Sequence, residues 1–227
     1  MTDFFRFPHT PHLAWLGQGG PRDDKVLLPH EASDLLSGDV VVEEKLDGAN
    51  VGFSISPDGR LRLQNRGQYL ESPYQGQFSR LSSWLAVHQD RMESALYPDV
   101  ILFGEWCAAR HSLNYSQLPD WFLGFDVYDR NQGRFWNTRH RDQVFAEIGI
   151  TAVPQRFKGK ADLLMLERLL AKESSLFLDG PMEGLVIRKE GEDWLTDRAK
   201  LVRAEFTQAI TEHWSRRGVE WNQIASH

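Results

Sequence analysis

The stretch from Val40 to Asn50 contains the residues best suited to covalent chemistry. A valine-rich run, typical of a buried strand, leads into Lys45, and Asp47-Gly48 follows as a tight turn, because glycine tolerates positive φ and aspartate caps its own backbone. Lys45 should therefore lie at the end of a rigid strand, facing the mouth of a pocket. A lysine held there can be a covalent nucleophile if its amine is kept neutral. Taken alone, the same residue also fits an ordinary surface lysine.

Other charged and amide side chains stand beside apolar runs further along the chain. They are Asn50, Arg66, Glu105, Asp126, Glu183, Arg198 and Lys200. A charge near a buried strand is costly unless it is paired or bound to a ligand, so one shared site would explain these residues jointly. Acids and cations together suit a metal–triphosphate complex, because carboxylates hold Mg²⁺ and cations neutralise phosphate oxygens. Taken singly, Glu105 and Glu183 also fit salt bridges with arginines.

These residues occur in the order of a known motif series. Lys45-Leu46-Asp47-Gly48-Ala49-Asn50 resembles KxDGxN, the first motif of the covalent nucleotidyltransferases, which comprise ATP-dependent DNA and RNA ligases and mRNA capping enzymes. Later motifs are resembled by Asn65-Arg66-Gly67, Phe103-Gly104-Glu105, Phe125-Asp126, Glu183 to Arg188, and Arg198 to Val202. The likeness spans about residues 40–203 and is closest to the ATP-dependent RNA ligases of the RNA ligase 2 type. One departure is Arg198, where the last motif often has lysine.

The resemblance implies a role for each motif residue. The implied catalytic residues are Lys45, which attacks the α-phosphorus of ATP to form lysyl-AMP, Lys200, which stabilises charge on that phosphate, and Asn50, which assists joining. Phe125, which alone would also fit the core, is expected to stack on adenine, and Glu105 to contact the ribose. The residues expected to bind the nucleotide are Glu44, Asp47, Gly48, Arg66, Glu105, Phe125, Glu183, Arg198 and Lys200. Those expected to bind metal, Mg²⁺ or Mn²⁺, are Glu183 and Asp126. A nearby cation or metal is expected to lower the pKa of Lys45, since its amine must lose a proton before it attacks.

The elements that must position these residues indicate an α+β fold with antiparallel sheets flanked by helices. Residues 51–65 alternate as a β-hairpin, and apolar strands are expected at 100–106, 121–129, 184–188 and 198–202. Helices are expected at roughly 76–93, 138–148 and 161–172, with a closing helix marked by Phe206, Ile210, Trp214 and Arg217. The resemblance implies that this fold is a nucleotidyltransferase (ATP-grasp-like ligase adenylation) domain.

The length favours one domain over residues 1–227, with a loop-rich N-terminal segment at 1–39 and a helical tail at 203–227. Few residues follow Lys200, so the OB-fold that DNA ligases and capping enzymes carry after the last motif is not expected. No apolar run is long enough to span a membrane, and the single cysteine, Cys107, fits a reducing cytoplasm. The net charge of −6 argues against a protein that coats nucleic acid unspecifically, although it allows a local basic groove.

The resemblance implies an ATP-dependent RNA ligase that joins 3′-OH and 5′-phosphate ends through lysyl-AMP and an RNA-adenylate, in RNA repair. RNA is the expected partner, as a nicked duplex or an RNA–DNA hybrid, together with an RNA end-processing protein. Three alternatives remain open. The first is a minimal DNA nick ligase. The second is not a ligase: a protein that binds nucleotides or RNA ends without turnover, or a nucleotidyltransferase that acts on protein. The third is a capping enzyme that uses GTP.

Overall fold

The structure is a computed structural model and describes residues 4–20, 25–208 and 218–225. Its strands are β1 (Asp39–Lys45), β2 (Ala49–Ile55), β3 (Leu61–Asn65), β4 (Tyr69–Leu70), β5 (Val100–Trp106), β6 (Phe122–Asp129), β7 (Arg134–Phe135), β8 (Thr151–Ala152), β9 (Gln155–Lys160), β10 (Gly184–Glu190) and β11 (Leu195–Val202). Its helices are α1 (Pro29–Leu35), α2 (Leu81–Ala95), α3 (Thr138–Ile148), α4 (Leu163–Lys172) and α5 (Ala204–Gln208), and a 3₁₀ turn spans Gly76–Phe78. The strands form two sheets.

The smaller sheet has four strands in the order β11-β10-β1-β9, and all its pairs are antiparallel. Strand β1 is central, which explains why its valines are buried: Val40 and Val42 pack into a core with Leu35 of α1 and Leu166 and Leu170 of α4. The pairing of β1 with β10 places Lys45 opposite Gly184. A strand fixed on both sides and covered by two helices gives the lysine at its end a rigid support.

The larger sheet has seven strands, in the order β4-β3-β2-β5-β6-β7 with β8 beside β6. The pair of β6 and β8 is parallel, and the other pairs are antiparallel. Large side chains from β2, β5 and β6, including Phe53, Trp106 and Phe122, pack with α2 and α3 in the main core. Strands β2 and β5 place Asn50 opposite Glu105.

The predicted α+β class and its antiparallel sheets are confirmed, as are the hairpin, the apolar strands and the helices at 138–148 and 161–172 in all but their exact ends. Helix α2 begins at Leu81, later than expected, because a 3₁₀ turn precedes it. The elements that were missed are helix α1, inside the segment expected to be mostly loop, strand β9, and the two-residue strands β4, β7 and β8. Of the closing helix, α5 is present, whereas Ile210, Trp214 and Arg217 lie outside the described residues. Residues 218–225 are not helical.

Within the described residues, no helix combines the length and apolar character needed to cross a bilayer.

Candidate active site

A cavity of about 300 Å³ is lined by residues of both sheets and of the N-terminal segment. Its size is at the lower end of the range for small-molecule sites. The predicted site residues on its wall are Glu44, Lys45, Gly48, Asn50, Arg66, Glu105, Phe125, Asp126, Arg198 and Lys200. The other two, Asp47 and Glu183, are held against this wall by the contacts given below. The structure therefore brings together side chains that are far apart in the sequence.

Lys45 forms an ion pair with Glu183 at the end of strand β1. Its Nζ donates a hydrogen bond to Glu183 Oε2 at 2.7 Å, and the two side chains are 26% and 14% exposed. This contact follows from the strand register, because Lys45 lies opposite Gly184, the residue after Glu183. The amine is thus reachable from the cavity while its position is fixed.

The Asp47-Gly48 turn is held by backbone and side-chain hydrogen bonds. Asp47 Oδ2 accepts from the backbone amides of Ser112 and Leu113 at 2.6 and 2.8 Å, and its own amide donates to the Tyr115 hydroxyl at 2.9 Å. Asp47 was expected to bind the nucleotide, but its carboxylate instead anchors the turn to the loop at 107–118.

Gly48 is required at this turn by close packing. Its amide donates to Glu105 Oε1 at 3.0 Å, and a Cβ at this position would lie 2.5 Å from the Trp106 carbonyl oxygen. A Cβ atom cannot lie this close to a backbone oxygen, so any other residue would force the turn to shift. The glycine therefore lets the turn after Lys45 approach β5, and its contact with Glu105 joins the two sheets at the cavity wall.

The charges around Lys45 favour its protonated form. Burial lowers the pKa of Lys45, but the negative charges of Glu183, Glu105 and Asp47 outweigh burial and raise the pKa above its ordinary value. Burial also raises the pKa of Glu105 to about 8, with Lys45 opposing and Glu183 adding to the shift. The acids around Lys45 therefore favour a resting amine that carries its proton.

Asn50, Arg66 and Lys200 reach the same cavity from three strands or strand ends. The Asn50 Oδ1 atom is buried and has no hydrogen-bond partner within the described residues. Arg66 directly follows β3, and its Nη2 donates to the Pro8 carbonyl at 3.2 Å. Lys200 lies in β11. Burial raises the pKa of Glu183 above its ordinary value, and the positive charges of Lys45 and, less strongly, Lys200 oppose that rise.

Phe125 lies half-buried on the cavity wall. Its ring packs edge-on against Phe7 with centroids 5.3 Å apart, and its carbonyl accepts hydrogen bonds from Arg141 at 2.7 Å and Arg188 at 3.3 Å. Both its ring and its backbone are therefore fixed. An aromatic ring held in this way can present a face to a flat ligand.

Glu44 was also expected to bind the nucleotide, but its carboxylate has other partners. It accepts from Ser175 Oγ at 2.5 Å, from the Leu176 amide at 3.3 Å and from Arg156 Nη1 at 3.4 Å. None of these three residues lines the cavity. The side chain therefore holds the segment around Ser175 against β1.

Asp126 and Arg198 take part in a buried charge cluster instead of standing free in the cavity. Asp126 Oδ1 accepts from Arg188 Nη1 at 2.8 Å, and its Oδ2 pairs with Arg198. Glu43 completes the cluster through Arg141 at 2.7 Å and Arg188 at 3.7 Å. Asp126 was expected to bind metal, but both of its oxygens are occupied by guanidinium groups. These contacts favour a structural role for Asp126 over metal binding.

Arg198 was expected to bind the nucleotide, and in the structure its guanidinium packs against two aromatic rings that also contact each other. It stands 4.5 Å from the Phe7 ring centroid and 4.3 Å from that of Phe135. With Asp126 on the same group, little of it is available to a phosphate.

Among the cavity residues that sequence reasoning did not assign to the site, three belong to the N-terminal segment: Phe7, His9 and Thr10. They come from the segment that was expected to be mostly loop. An extended strand-like segment rich in proline and histidine shows no hydrophobic periodicity. The only signal was the aromatic residue at position 7, and it does not indicate which surface the segment covers.

The acids beside Lys45 could hold a divalent metal only together with ligands that the protein does not supply, such as water or substrate phosphates. The described residues contain no cluster of three or more His, Cys, Asp or Glu side chains suited to hold a metal alone. Mg²⁺ commonly keeps several waters and takes one or two carboxylates together with substrate phosphates, and Mn²⁺ accepts the same oxygen ligands. Glu183, which was expected to bind metal, supplies such a carboxylate beside Lys45.

A family model described as RNA ligase matches residues 38–202 of the chain. No curated protein sequence matches this chain. Among solved structures, it is similar to a mutant of Naegleria gruberi RNA ligase with AMP and Mn, with 16% identity, a TM-score of 0.66, and coverage of 92% of this chain and 58% of that one. It is also similar to an archaeal ATP-dependent RNA ligase, with 18% identity, a TM-score of 0.60, and coverage of 87% and 48%.

A further Naegleria gruberi RNA ligase mutant, with ATP and Mn, has 18% identity, a TM-score of 0.62, and coverage of 88% of this chain and 63% of that one. At these identities the likeness concerns the fold. The chain spans less than two thirds of the length of each of these ligases.

Proposed function

This chain belongs to the RNA ligase family, and from that premise we propose that it is an ATP-dependent RNA ligase that joins 3′-OH and 5′-phosphate ends. The observation that supports this most is the surroundings of Lys45. Its amine lies on the cavity wall in contact with Glu183, and Asn50 and Lys200 reach the same cavity. A lysine so placed suits a covalent nucleophile for a nucleotide.

In the first step, Lys45 Nζ loses a proton and attacks the α-phosphorus of ATP. A nitrogen–phosphorus bond forms, the bond from the α-phosphorus to pyrophosphate breaks, and lysyl-AMP results. Glu183 Oε2, at 2.7 Å, is the nearest acceptor for the proton that the resting ammonium must give up. Lys200 stabilises the charge that develops on the α-phosphate.

The remaining nucleotide contacts come from the same wall. Phe125 stacks on adenine, Glu105 contacts the ribose, and Arg66 contacts a phosphate of ATP or of the RNA end. A divalent metal, Mg²⁺ or Mn²⁺, bound through Glu183 would neutralise phosphate charge. Asp126 is left out of this set, because its oxygens pair with Arg188 and Arg198.

In the later steps, AMP passes to the RNA and the ends are joined. A 5′-phosphate oxygen attacks the lysyl-AMP phosphorus, and the Lys45 amine leaves and regains a proton. The 3′-OH then loses its proton and attacks the RNA 5′-phosphate, and AMP leaves. Asn50 assists this joining step, and its buried Oδ1, which has no hydrogen-bond partner within the described residues, would gain one from an RNA group that displaces its surroundings.

The wider setting belongs to the same proposal. RNA ends presented in a nicked duplex or an RNA–DNA hybrid are the proposed substrate, and an RNA end-processing protein is the proposed partner in RNA repair. A cytoplasmic location is proposed because the one cysteine, Cys107, is a buried free thiol, as expected in a reducing compartment.

The test is to incubate the protein with α-labelled ATP and Mg²⁺ or Mn²⁺, and then to add nicked duplexes with RNA or DNA at the 3′-OH side. We expect label on the wild type, none on Lys45→Ala, and transfer of the label to RNA followed by sealing. Intact-protein mass should rise by one adenylate on the wild type alone.

Each alternative predicts a different outcome. Sealing of all-DNA nicks alone would indicate a DNA ligase, and label from GTP alone would indicate a capping enzyme. Label that stays on the protein would favour a nucleotide-binding protein without ligase turnover. If neither nucleotide labels the wild type, the proposed mechanism is wrong.

A further inference from the structure

Residues 4–13, called here the N-terminal strap, cross the cavity and contact both sheets. On the side of the larger sheet, Gln64 Nε2 donates to the Phe5 carbonyl at 2.8 Å, and Arg66 Nη2 donates to the Pro8 carbonyl at 3.2 Å. On the side of the smaller sheet, the Lys200 amide donates to the Pro11 carbonyl at 2.8 Å, and the Leu13 amide donates to the Lys200 carbonyl at 2.7 Å. The strap is therefore fixed at both ends of its crossing.

One end of the crossing is aromatic. Phe7 is buried and packs against Phe103, with ring centroids 4.9 Å apart, and against Phe125 at 5.3 Å. Phe125 is the ring proposed to stack on adenine. Phe7 therefore marks the base side of the cavity, and its packing fixes the orientation of Phe125.

The other end of the crossing lies among cations. His9 and Thr10 both line the cavity, and they stand between Pro8, which is held by Arg66, and Pro11, which is held by Lys200. Arg66 and Lys200 are the residues proposed to bind phosphates. His9 and Thr10 therefore occupy the phosphate side, while Phe7 occupies the base side.

We propose that the N-terminal strap is part of the ATP site, and that Thr10 and His9 hydrogen-bond the phosphate or ribose oxygens of the nucleoside triphosphate. This proposal rests on the proposed function. It adds to the ATP site a segment that lies N-terminal to residues 38–202, which the family model matches. A threonine hydroxyl and an imidazole N–H both donate hydrogen bonds, which is what phosphate oxygens accept. Their fixed backbone means that little freedom is lost when the nucleotide binds.

The test measures two quantities for Lys45 adenylation: the ATP concentration at half-saturation and the rate at saturating ATP. The variants are Thr10→Val, which removes the hydroxyl at nearly constant volume, Thr10→Ser, which keeps it, and His9→Gln, whose exposed side chain contributes little packing. The matched control is Thr151→Val, in an exposed threonine of β8 outside the cavity. Thermal unfolding midpoints are measured alongside.

We expect Thr10→Val to raise the half-saturating ATP concentration by about tenfold, as fits the loss of one hydrogen bond to a charged group. Thr10→Ser should stay near the wild type, His9→Gln should raise the value by a smaller factor, and Thr151→Val should change nothing. The preference for ATP over GTP should stay the same, because both carry the same phosphates.

Several results would overturn the proposal. They are an unchanged half-saturating concentration in Thr10→Val and His9→Gln, or a changed preference between ATP and GTP, which would move the contact to the base. If Thr10→Val unfolds, His9→Gln decides by the same readouts. Absence of label on the wild type would instead contradict the proposed function, so the two failures are distinguishable.

Discussion

Asn50 lies where the nucleotide cavity meets a second, open hollow. Both spaces are lined by Asn50 and Arg66, and the hollow continues over Gln68, Gln77 and Phe78. An RNA end in this hollow would reach the adenylate at its boundary with the cavity. Under the proposed function, we expect Asn50 to act on the joining step more than on the attack of Lys45.

Replacement of Asn50 by alanine should separate these steps. Adenylation of Lys45 is expected to stay within about threefold of the wild type, whereas sealing of pre-adenylated RNA should slow by roughly 100-fold, as when one donor to a developing charge is removed. Gel assays of each step measure the two effects. Asn131→Ala, in an exposed residue outside the cavity, is the control, and equal loss in both steps would contradict the assignment.

Gly48 offers a second prediction, based on space. A Cβ at this position would meet the Trp106 carbonyl, so Gly48→Ala must shift the turn that follows Lys45. We expect a loss of roughly 1–3 kcal/mol in the free energy of unfolding and a slowing of adenylation by about 100-fold, because small displacements of a nucleophile cost much in rate. Denaturant unfolding and label incorporation measure both.

Gly38→Ala is the matched control for Gly48→Ala, since a Cβ at Gly38 meets nothing within 4 Å. It should leave stability and adenylation close to the wild type. If Gly48→Ala behaves like this control, the close approach of the turn to β5 has no influence on Lys45.

At the scale of elements, residues 218–225 return to the body and support the loop at 107–118. Asn222 is 2% exposed, and its side chain accepts from the Tyr115 amide at 2.9 Å and donates to the Cys107 carbonyl at 2.7 Å. The Tyr115 hydroxyl in turn accepts from the Asp47 amide. A continuous series of hydrogen bonds therefore connects this returning segment to the turn after Lys45.

Asn222→Ala should weaken that series. We expect a loss of about 3 kcal/mol in the free energy of unfolding, because buried partners on the loop are left unpaired. Adenylation at saturating ATP should slow while the half-saturating ATP concentration changes little, since Asn222 lies outside the cavity. Gln223→Ala is the control, because residue 223 is exposed and its hydrogen bonds to Tyr115 and Leu118 use its backbone. A selective change in half-saturation would contradict this reading.

The sequence predicts well those elements whose own pattern of apolar and polar residues indicates a strand or a helix. The valines of β1 and the alternation in β2 and β3 are sufficient, because burial on one or both faces leaves a clear pattern. Helix α1 was missed since it is short and only Leu35 among its residues is buried. Strand β9 was missed because it is an edge strand with none of its residues buried, and its sequence is mostly polar.

The same distinction applies to the site. Lys45, Asn50, Glu105, Glu183 and Lys200 gather as the motif order implies. The contacts of Glu44, Asp126 and Arg198 could not be predicted, because they depend on partners far away in the chain, such as Ser175, Arg188 and Phe7. The contribution of residues 7–10 depends on a loop whose path only the folded chain defines.

At the scale of the whole molecule, buried charges join the two sheets. Asp126 belongs to the larger sheet, whereas Arg188 and Arg198 belong to the smaller one, and Arg141 of α3 reaches Glu43 of β1. Such groups are costly to bury and are tolerated because they are paired. Removing a single member leaves an uncompensated charge in a water-poor interior.

Asp126→Asn should therefore lower the free energy of unfolding by about 3–5 kcal/mol. The control is Asp193→Asn, which breaks an exposed pair with Arg139 and should cost less than about 1 kcal/mol. Denaturant midpoints measure both variants. At a temperature where Asp126→Asn is folded, its adenylation should need no more Mg²⁺ than the wild type, and a raised requirement would restore Asp126 as a metal ligand.

The path of the chain past Lys45 has a mechanical consequence. Strand β1 ends at Lys45 in the smaller sheet, and β2 begins at Ala49 in the larger one. The Lys45 amine thus lies where the chain passes from one sheet to the other. An AMP attached to it would be bonded to the smaller sheet and would contact the larger one. Adenylation should therefore link the two sheets and stabilise both against local opening. Amide hydrogen exchange in β10 and in β5 is expected to slow together once the adduct forms.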